Sequence, residues 1–437
     1  MKRILNIDTT KYIGKKIKIS GWVDTVRAHG SIVFIDLRDR TCVLQAVANA
    51  DIANNLKEED VLELTGKIIE RPAAMQNQNI LTGKVEMQVE KIEVLVKSAQ
   101  LPFDIKEGMN LSLPVLLDFR ALTLRNEKIK SIFKIEAGVI KTFRKTLDKL
   151  GFTEIQVPTI VPTATEGGAE VFKIDYYGKP AFLAQSPQLY KQIMVGVFER
   201  VYMLAHAYRA EPSVTTRHLS EYISLDAEMG FISSWKELLD TCEKLLKNIF
   251  SGLEKNCASE LKLLAVEMPK IKKIPRLKLK EAQKIILERT KRDHTQEPDL
   301  DPEDEKEICL WAKKTHNCDF VFITHYPTKK RPFYTMPDPK NPEETLSFDI
   351  LFRGLEIVTG GQRINKYEQL LENLKKWDNK PEDFEIYLQA FKYGMPPEGG
   401  FALGCERIVK QLLKLENLRE AHLFPRDMGR IDKRLAE

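Results

Sequence analysis

Two arginine-containing segments constrain the fold of this chain more than any other feature of its sequence. Residues 208–211 read YRAE and lie between two β-rich runs, which predicts a strand, a charged loop and a second strand. Residues 399–407 read GGFALGCER and predict a glycine-rich strand that leads directly into a helix. A guanidinium group is always charged and offers a planar fork of donors to phosphate oxygens. Arg209 and Arg407 are therefore candidates for binding a phosphate-containing substrate.

Length and composition indicate a folded protein of more than one domain. A chain of 437 residues exceeds what one ordinary core organises, so two or three domains are expected. The hydrophobic share of 43% and the charged share of 30% are typical of globular proteins. The net charge of +5 does not by itself indicate nucleic-acid binding, although it permits a local basic face.

The cysteines and the apolar runs predict a cytoplasmic protein. The six cysteines form no CxxC pair, which favours free thiols in a reducing compartment, with a structural zinc site as the alternative. The first residues contain no apolar run typical of a signal peptide. No stretch approaches the roughly 20 apolar residues that span a bilayer, so no membrane association is expected.

The order of the predicted elements suggests three parts. Residues 1–100 contain five short β-rich runs separated by turns, which is typical of a small OB-type barrel. Residues 101–126 form a connector marked by prolines and a glycine, and residues 127–437 form the remaining domain. Within it, residues 128–150 show helical periodicity and residues 152–157 predict a strand that ends at Pro158. Residues 235–320 read as an inserted helical region with no visible chemistry.

These segments resemble the class II aminoacyl-tRNA synthetases. Residues 208–218 resemble motif 2, residues 399–407 resemble motif 3, and the helix–strand–proline block resembles motif 1, although alone it would fit any amphipathic helix on a sheet. With residues 165–172, 185–191 and 348–363, the likeness is closest to aspartyl-tRNA synthetases with a compact archaeal or eukaryotic-type catalytic domain. The stretches 30–40 and 71–83 look more like the bacterial anticodon domain.

The resemblance implies a fold and an activity. The fold would be α+β, with a class II antiparallel sheet flanked by helices and an N-terminal all-β OB-type barrel, assembled as a homodimer through motif 1. The activity would be an ATP-dependent ligase that makes aspartyl-adenylate and transfers the aspartyl group to the 3′ end of tRNA-Asp, with Mg²⁺ as the cofactor.

The resemblance also implies which residues act on ATP. Arg209 would bind the α-phosphate and the substrate carboxylate, and Arg407 the γ-phosphate, so both count as catalytic. The ATP site would comprise Arg209, Glu211, Arg217, His218, Leu219, Glu356, Gly404, Cys405, Glu406 and Arg407. The metal ligands would be Glu356 and Thr359, where the family usually has serine, and Asp349 would add charge unless it is a solvated surface residue. A lone histidine such as His218 is equally compatible with a structural role.

The predicted amino-acid pocket is the sharpest part of the resemblance. The second carboxylate of aspartate needs fixed cations, which Lys191 and Arg363 would supply, and Asp226 would receive the ammonium group. Glu166 would head a loop that closes over the substrate, although its Gly-Gly pair also fits a simple β-turn. The predicted aspartate ligands are Glu166, Gln188, Lys191, Arg209, Asp226, Thr359 and Arg363.

The resemblance places the anticodon reader in the barrel. Phe34 would stack on a base, Gln45 would read the central base, and Arg27 would contact a phosphate or a base edge. Alternation along 33–35 does not decide whether Phe34 faces the core instead. The third anticodon base separates tRNA-Asp from tRNA-Asn. Relatives that accept both tRNAs tend to have tryptophan at the position of Asp24, and those that reject tRNA-Asn tend to have histidine, so Asp24 fits neither pattern. The Arg71–Pro72 pair favours rejection of tRNA-Asn.

Four alternatives stand beside this reading. A non-discriminating enzyme would charge both tRNA-Asp and tRNA-Asn with aspartate. An asparaginyl-tRNA synthetase would not need the charge of Lys191. A non-catalytic paralogue would be expected to lose the phosphate-binding arginines. A tRNA-free enzyme that makes asparagine would be expected to lack residues 1–100 as a barrel.

Overall fold

The computed structural model describes residues 2–78, 80–106, 110–163, 170–212 and 215–435. Its contacts divide the chain into two compact units, Met1–Asp104 and Ile105–Glu437. In the described ranges no helix has the length and apolar character needed to cross a membrane.

The first unit is a closed β-barrel. Its strands are β1 (Lys16–His29), β2 (Ile32–Arg38), β3 (Val43–Asn49), β4 (Val61–Glu70) and β5 (Val85–Val96), arranged in the order β1-β2-β3-β5-β4. Strands β3 and β5 pair in parallel and the other neighbours pair antiparallel. Alternate side chains such as Ile19, Ile35 and Leu64 fill the barrel interior, because successive residues of a strand face opposite sides. The predicted five-stranded barrel is confirmed.

The second unit is built on one large sheet. Its strands are β6 (Thr153–Glu154), β7 (Ile160–Val161), β8 (Lys173–Tyr176), β9 (Lys179–Leu183), β10 (Arg200–Tyr208), β11 (Glu221–Gly230), β12 (Arg276–Lys278), β13 (Phe320–Thr324), β14 (Pro337–Asp338), β15 (Asn341–Thr345), β16 (Ser347–Phe352), β17 (Leu355–Gln362) and β18 (Glu398–Gly404). The large sheet has the order β12-β13-β16-β17-β18-β11-β10-β6, and β7-β9-β8 and β14-β15 form small sheets. The large sheet is antiparallel except at its two edges. There β12 pairs in parallel with β13, and β6 pairs in parallel with β10.

Helices flank this sheet. They are α1 (Leu113–Asp118), α2 (Arg120–Thr123), α3 (Glu127–Lys149), α4 (Gln188–Phe198), α5 (Lys236–Asn256), α6 (Ala258–Leu263), α7 (Leu279–Thr290), α8 (Pro302–His316), α9 (Tyr367–Lys376), α10 (Glu385–Lys392) and α11 (Cys405–Leu413). Helices α3 and α5 contribute apolar faces, including Phe143 and Leu246, to the core against the sheet. The predicted α+β class, with an antiparallel sheet between helices, is confirmed.

The motif 1 block is partly different from its prediction. The predicted helix 128–150 is observed as α3, which begins after Asn126, whose side chain accepts hydrogen bonds from the first backbone N–H groups. The predicted strand 152–157 is shorter than expected, since its ladder with β10 comprises Thr153 and Glu154, followed by one hydrogen bond from the Ile155 N–H to the Tyr202 carbonyl at 2.9 Å. In the 235–320 region, β12 joins the large sheet while α5 packs in the main core.

Candidate active site

The large sheet forms the floor of a cavity of about 390 Å³ in the second unit. The predicted site residues that line it are Gln188, Lys191, Arg209, Glu211, Arg217, His218, Leu219, Asp226, Glu356, Thr359, Arg363, Gly404, Glu406 and Arg407. They come together because β11 and β17 both pair with β18, with Asp226 and Thr359 each opposite Ala402. Arg209 follows the end of β10, and Arg407 lies in the first turn of α11.

One end of the cavity is a buried network of charged groups around Lys191. The Lys191 Nζ atom lies 2.8 Å from Asp226 Oδ1 and 3.2 Å from Glu228 Oε2. Ser224 donates from its hydroxyl to Asp226 Oδ2 at 2.5 Å. Burial opposes the charge of Lys191, but Asp226 and Glu228 outweigh it and raise the Lys191 pKa above its ordinary value. This lysine is therefore a fixed cation.

Arg363 supplies a second buried cation in the same network. Its Nε atom donates to Glu228 Oε1 at 2.7 Å, and its Nη2 atom lies 3.4 Å from Gln188 Oε1. Burial alone would raise the pKa of Glu228, but Arg363 and Lys191 outweigh it and lower that pKa. Gly400 leaves room for this carboxylate, because a Cβ atom there would come within 2.2 Å of Glu228 Oε2. The pocket thus brings two cations, Lys191 and Arg363, into contact with the acidic side chains of Asp226 and Glu228.

The other end of the cavity carries the predicted nucleotide ligands of motif 2. The Arg209 guanidinium lies 5.6 Å from the ring centroid of Tyr222, within cation–π distance. Glu211 lies between two partners, with Arg209 Nη1 at 3.8 Å and His218 Nε2 at 3.9 Å. Burial lowers the His218 pKa; Glu211 opposes this effect, and the neighbouring arginines add to it. His218 is therefore neutral near pH 7 and can donate a hydrogen bond without adding charge.

Arg217 lines the cavity and pairs with a residue outside motif 2. Its guanidinium forms a short ion pair with Glu305 on α8. Burial raises the Glu305 pKa to about 7, despite the opposing effect of Arg217. The 235–320 region therefore supplies the ion-pair partner of Arg217, a predicted phosphate ligand. The sequence analysis did not predict this contact.

The motif 3 arginine and the predicted metal ligands lie side by side. Arg407 Nη1 donates to the Glu356 backbone carbonyl at 3.1 Å and lies 3.5 Å from Glu356 Oε1. Burial, and then the charge of Asp349, raise the Glu356 pKa. Asp349 is only 6% exposed, so the alternative that it is a solvated surface charge is wrong.

Arg331 is the most important residue that sequence reasoning missed. It donates to Asp349 Oδ2 at 2.7 Å and to Thr359 Oγ1 at 3.1 Å, and its guanidinium lies 3.9 Å from the Tyr326 ring centroid. The second oxygen of Asp349 is buried and has no hydrogen-bond partner among the described residues. An unpartnered carboxylate oxygen beside Glu356 is what a hard cation would satisfy, so the donor set fits Mg²⁺.

Cys405 and Glu406 at the start of α11 differ in their surroundings. The Cys405 side chain belongs to the hydrophobic core, so only its backbone remains for contact with a nucleotide. Glu406 lines the cavity, but its Oε1 atom accepts from the Ile223 backbone N–H at 2.9 Å, and burial raises its pKa to about 8. Glu166 lies outside the described residues, as do Gly167 and Gly168.

The predicted anticodon residues lie on the outer face of the barrel. Phe34 is partly exposed between the buried Val33 and Ile35, so the alternative that it is a core residue is wrong. Its partner on the neighbouring strand β1 is Arg27, whose Nη1 atom lies 2.9 Å from Asp36 Oδ2. Gln45 is opposite Asp36 on β3 and donates to Glu86 Oε2 at 3.1 Å.

Some of the missed residues had a sequence signal. Ser224 and Glu228, which were missed, alternate on β11 with the predicted Asp226, and this period-2 pattern could have placed all three on one face. Arg331 lies among charged residues and a proline with no distinguishing pattern. Only its contacts with Asp349 and Thr359 identify it.

Comparisons with known proteins agree over nearly the whole chain. Residues 112–428 match the family of tRNA synthetases class II (D, K and N), and residues 17–95 match the OB-fold nucleic acid binding domain. An aspartate–tRNA(Asp/Asn) ligase of Deinococcus radiodurans is 42% identical over 99% of this chain and 99% of its own length. An aspartate–tRNA(Asp) ligase of Pyrococcus abyssi is 39% identical over 97% of each chain.

A solved structure shares the same fold. The asparaginyl-tRNA synthetase of Pyrococcus horikoshii, complexed with asparaginyl-adenylate, superposes with a TM-score of 0.87 at 30% identity. The match covers 96% of this chain and 97% of that one.

Proposed function

Because this chain belongs to the class II tRNA synthetases of the D, K and N group, we propose that it is an aspartate–tRNA ligase. It would activate L-aspartate with ATP and transfer the aspartyl group to the 3′ end of tRNA-Asp. The observation that carries this proposal is the pair of buried cations, Lys191 and Arg363, at one end of the cavity. A buried cation matches a substrate carboxylate and mismatches a neutral amide.

The pocket geometry supports aspartate over asparagine. Asp226 touches Lys191 and is held by Ser224, so it can receive the substrate ammonium group while Lys191 turns to the side-chain carboxylate. Arg363 keeps its Nε contact with Glu228 and has further donors in its fork. The likeness to an asparaginyl enzyme in overall fold is shared by the whole group and does not bear on this choice.

The chemistry requires positioning and charge neutralisation rather than a covalent enzyme intermediate. The substrate carboxylate attacks the α-phosphate of ATP and pyrophosphate leaves. Arg209 would bind the α-phosphate, and Glu211, 3.8 Å from Arg209 Nη1, would accept from the adenine amino group. Arg407 and neutral His218 would bind the outer phosphates, and Arg217 would join them by exchanging its partner Glu305 for phosphate.

A magnesium ion would be held by Glu356 and Thr359, with Asp349 as a further acid. When bound, Mg²⁺ would neutralise charge on the phosphates of ATP. Arg331 keeps Asp349 and Thr359 in fixed orientations through its two hydrogen bonds, so these side chains are ordered before a ligand arrives.

The barrel would read the anticodon in three successive rows. Phe34, Asp36 and Arg38 face outward on β2 and lie roughly 6.8 Å apart from one to the next. Three splayed bases can each meet one row. Phe34 would stack on a base, and Asp36 with Gln45 would form the middle row, which leaves the Arg38 row for the third base.

In the third row a carboxylate is held in place by a salt bridge. Asp24 lies at a bulge in β1, and its Oδ1 atom is 3.0 Å from Arg38 Nη1. Arg38 also binds Glu59 at 2.7 Å. A carboxylate accepts from the amino group of cytosine but repels the O4 acceptor of uracil. Because tRNA-Asp ends its anticodon in cytosine and tRNA-Asn in uracil, we favour discrimination. The relatives include ligases named for tRNA(Asp) and for tRNA(Asp/Asn).

The first test of the function is charging with labelled aspartate. We expect a tRNA-Asp transcript to be charged with aspartate and not with asparagine. Charging with asparagine alone would identify an asparaginyl enzyme. If the folded protein charges neither the tRNA-Asp nor the tRNA-Asn transcript, it is a non-catalytic paralogue. Equal charging of tRNA-Asp and tRNA-Asn would establish the non-discriminating alternative.

Replacing Asp24 with asparagine tests how the third base is read. We expect the preference for tRNA-Asp over tRNA-Asn to fall roughly tenfold, about 1.4 kcal/mol, because an amide can also donate to the uracil oxygen. The ratio of kcat/KM values for the two transcripts measures this effect. Asp36→Asn is the matched control, because Asp36 lies in the middle row and should leave the ratio unchanged. An unchanged ratio in Asp24→Asn would contradict the assignment.

Replacing Phe34 with alanine tests the stacking platform. Loss of one base-stacking contact should weaken tRNA charging by about 1–3 kcal/mol, because stacking on an aromatic ring is lost. Pyrophosphate exchange without tRNA should be unaffected, since the second unit carries that reaction. If exchange falls as much as charging, the variant has damaged the fold rather than the anticodon site.

The assembly and location of the enzyme also remain proposals. We propose a homodimer formed through the motif 1 block, α3 with β6, and a cytoplasmic location. Sedimentation of the purified protein tests the first, and cell fractionation tests the second.

A further inference from the structure

Glu398 is a fully buried carboxyl group directly behind the aspartate end of the cavity. It begins β18, and its backbone carbonyl accepts from the Arg363 backbone N–H at 2.9 Å. Its Oε1 atom accepts from Gln192 Nε2 at 2.7 Å. Its Oε2 atom has no donor among the described residues. Glu398 does not line the cavity, so the proposed chemistry does not use it.

The charged group that acts most strongly on Glu398 is the carboxyl group of Glu228. Glu228 pairs with Gly400 on β18, two residues from Glu398, so the two side chains lie on the same face of neighbouring strands. A hydrogen bond between the two carboxyl groups needs one proton shared by the pair. Glu228 is held ionised by Arg363 and Lys191, so the proton belongs on Glu398. Arg363 and the Gln192 amide, which donates to Oε1, favour the ionised form of Glu398, but burial and the charge of Glu228 outweigh them. The Tyr387 hydroxyl donates to Gln192 rather than to Glu398.

The charges of the pocket show why the proton matters. Lys191 and Arg363 contribute two positive charges, and Asp226 and Glu228 contribute two negative charges. A third carboxylate at position 398 would be unopposed, and it would compete with the substrate for Arg363. In a buried site, an added like charge acts on the substrate carboxylate with little screening.

We propose that Glu398 is a positioning residue that stays protonated in the working enzyme, donates to Glu228, and keeps Arg363 and Lys191 available to the side-chain carboxylate of aspartate. This inference rests on the proposed function, since it concerns the same pocket. Burial, reinforced by the charge of Glu228, raises the Glu398 pKa well above its ordinary value.

The pH dependence of aspartate binding tests the proposal. In the wild type, the KM for aspartate in pyrophosphate exchange should be flat near neutral pH and rise about tenfold per pH unit once Glu398 ionises. In Glu398→Gln, whose amide imitates the protonated acid, the KM should stay low through the same range. The KM for ATP should not show this difference, and substrate ionisation is common to both proteins.

A matched control separates this effect from burial alone. Glu136 on α3 is also buried, and burial raises its pKa to about 7. Glu136→Gln should keep the wild-type pH profile for aspartate. Parallel rises of the KM with pH in the wild type and in Glu398→Gln would overturn the proposal. A wild-type KM for aspartate that already rises between about pH 6 and pH 7.5 would also overturn it, because Glu398 would then not stay protonated in the working enzyme. The second outcome does not depend on whether any variant folds.

Stability gives a readout that is independent of activity. A carboxyl group whose pKa is raised in the folded state binds its proton more tightly there than in the unfolded chain. The folded state therefore loses stability as pH rises above the ordinary glutamate pKa. The melting temperature of Glu398→Gln should exceed that of the wild type by a margin that grows from pH 5 to pH 8. A constant margin overturns the proposal. If aspartate is not activated at all, the proposed function fails, while this melting experiment still decides the state of Glu398.

Discussion

Alanine at Arg209 or at Arg407 should reduce aspartate-dependent pyrophosphate exchange by a factor of roughly 10²–10³, equivalent to about 2.7–4 kcal/mol. Both side chains line the cavity, and each is held by neighbours, Arg209 beside Tyr222 and Glu211 and Arg407 beside Glu356. A guanidinium that is already in place stabilises charge on the reacting phosphates without reorganisation. The loss should therefore appear mainly in kcat.

The control for this prediction is an arginine that lies outside the cavity. Arg289 on α7 forms an exposed salt bridge with Glu307 on α8 at 2.6 Å, and exposed pairs contribute only about 0–1 kcal/mol. Arg289→Ala should retain pyrophosphate exchange. Binding of tRNA to the Arg209 and Arg407 variants should be mostly retained, because the predicted anticodon site lies in the barrel. Equal exchange rates in the wild type and either alanine variant would refute the assignment.

Replacing Arg363 with methionine should both destabilise the protein and remove aspartate activation. The arginine is 6% exposed and donates to Glu228, which is fully buried. Removing one partner of a buried pair leaves an uncompensated charge, which costs about 3–5 kcal/mol of folding free energy. Denaturant unfolding measures this loss, and pyrophosphate exchange measures the loss of the substrate ligand.

A second substitution separates the two effects. The double variant carries Arg363→Met and Glu228→Gln, so no ionised glutamate is left without Arg363 at position 228. Much of the lost free energy of unfolding should therefore return. Activity should not return, because the cation that receives the substrate carboxylate is still absent. If the double variant regains aspartate activation, Arg363 acts only by supporting the fold. If the single variant is as stable as the wild type, the ion pair with Glu228 does not hold the pocket together.

Local patterns in the sequence were enough to predict most of the fold. Helix α3 has an apolar face at helical spacing and an asparagine cap, and it is observed one residue from each predicted end. The barrel strands alternate, and their buried positions follow that alternation. Such elements are predictable because their periodicity and caps act over a few residues.

The role of the motif 3 glycines shows a limit of local reasoning. The sequence predicts a glycine-rich strand in residues 399–407 but gives no reason for the glycine at position 400. The structure shows that a Cβ at Gly400 would meet the Ala227 carbonyl oxygen and the Glu228 carboxylate at 2.2 Å. The glycine is needed for the packing of neighbouring strands around a buried acid, and that need is invisible without the partner strand.

By itself, the sequence determined the N-terminal barrel, the α+β domain that follows it, and the residues that face the cavity from motifs 2 and 3, because these signals are carried by short segments. Only the tertiary structure decided which charges neutralise one another. Arg217 pairs with Glu305, Arg331 with Asp349, and Arg363 with Glu228. The two partners of such a pair lie on different elements, so neither leaves a local pattern. In a buried site the partner decides whether a group is ionised, and that pairing exists only after the sheet has formed.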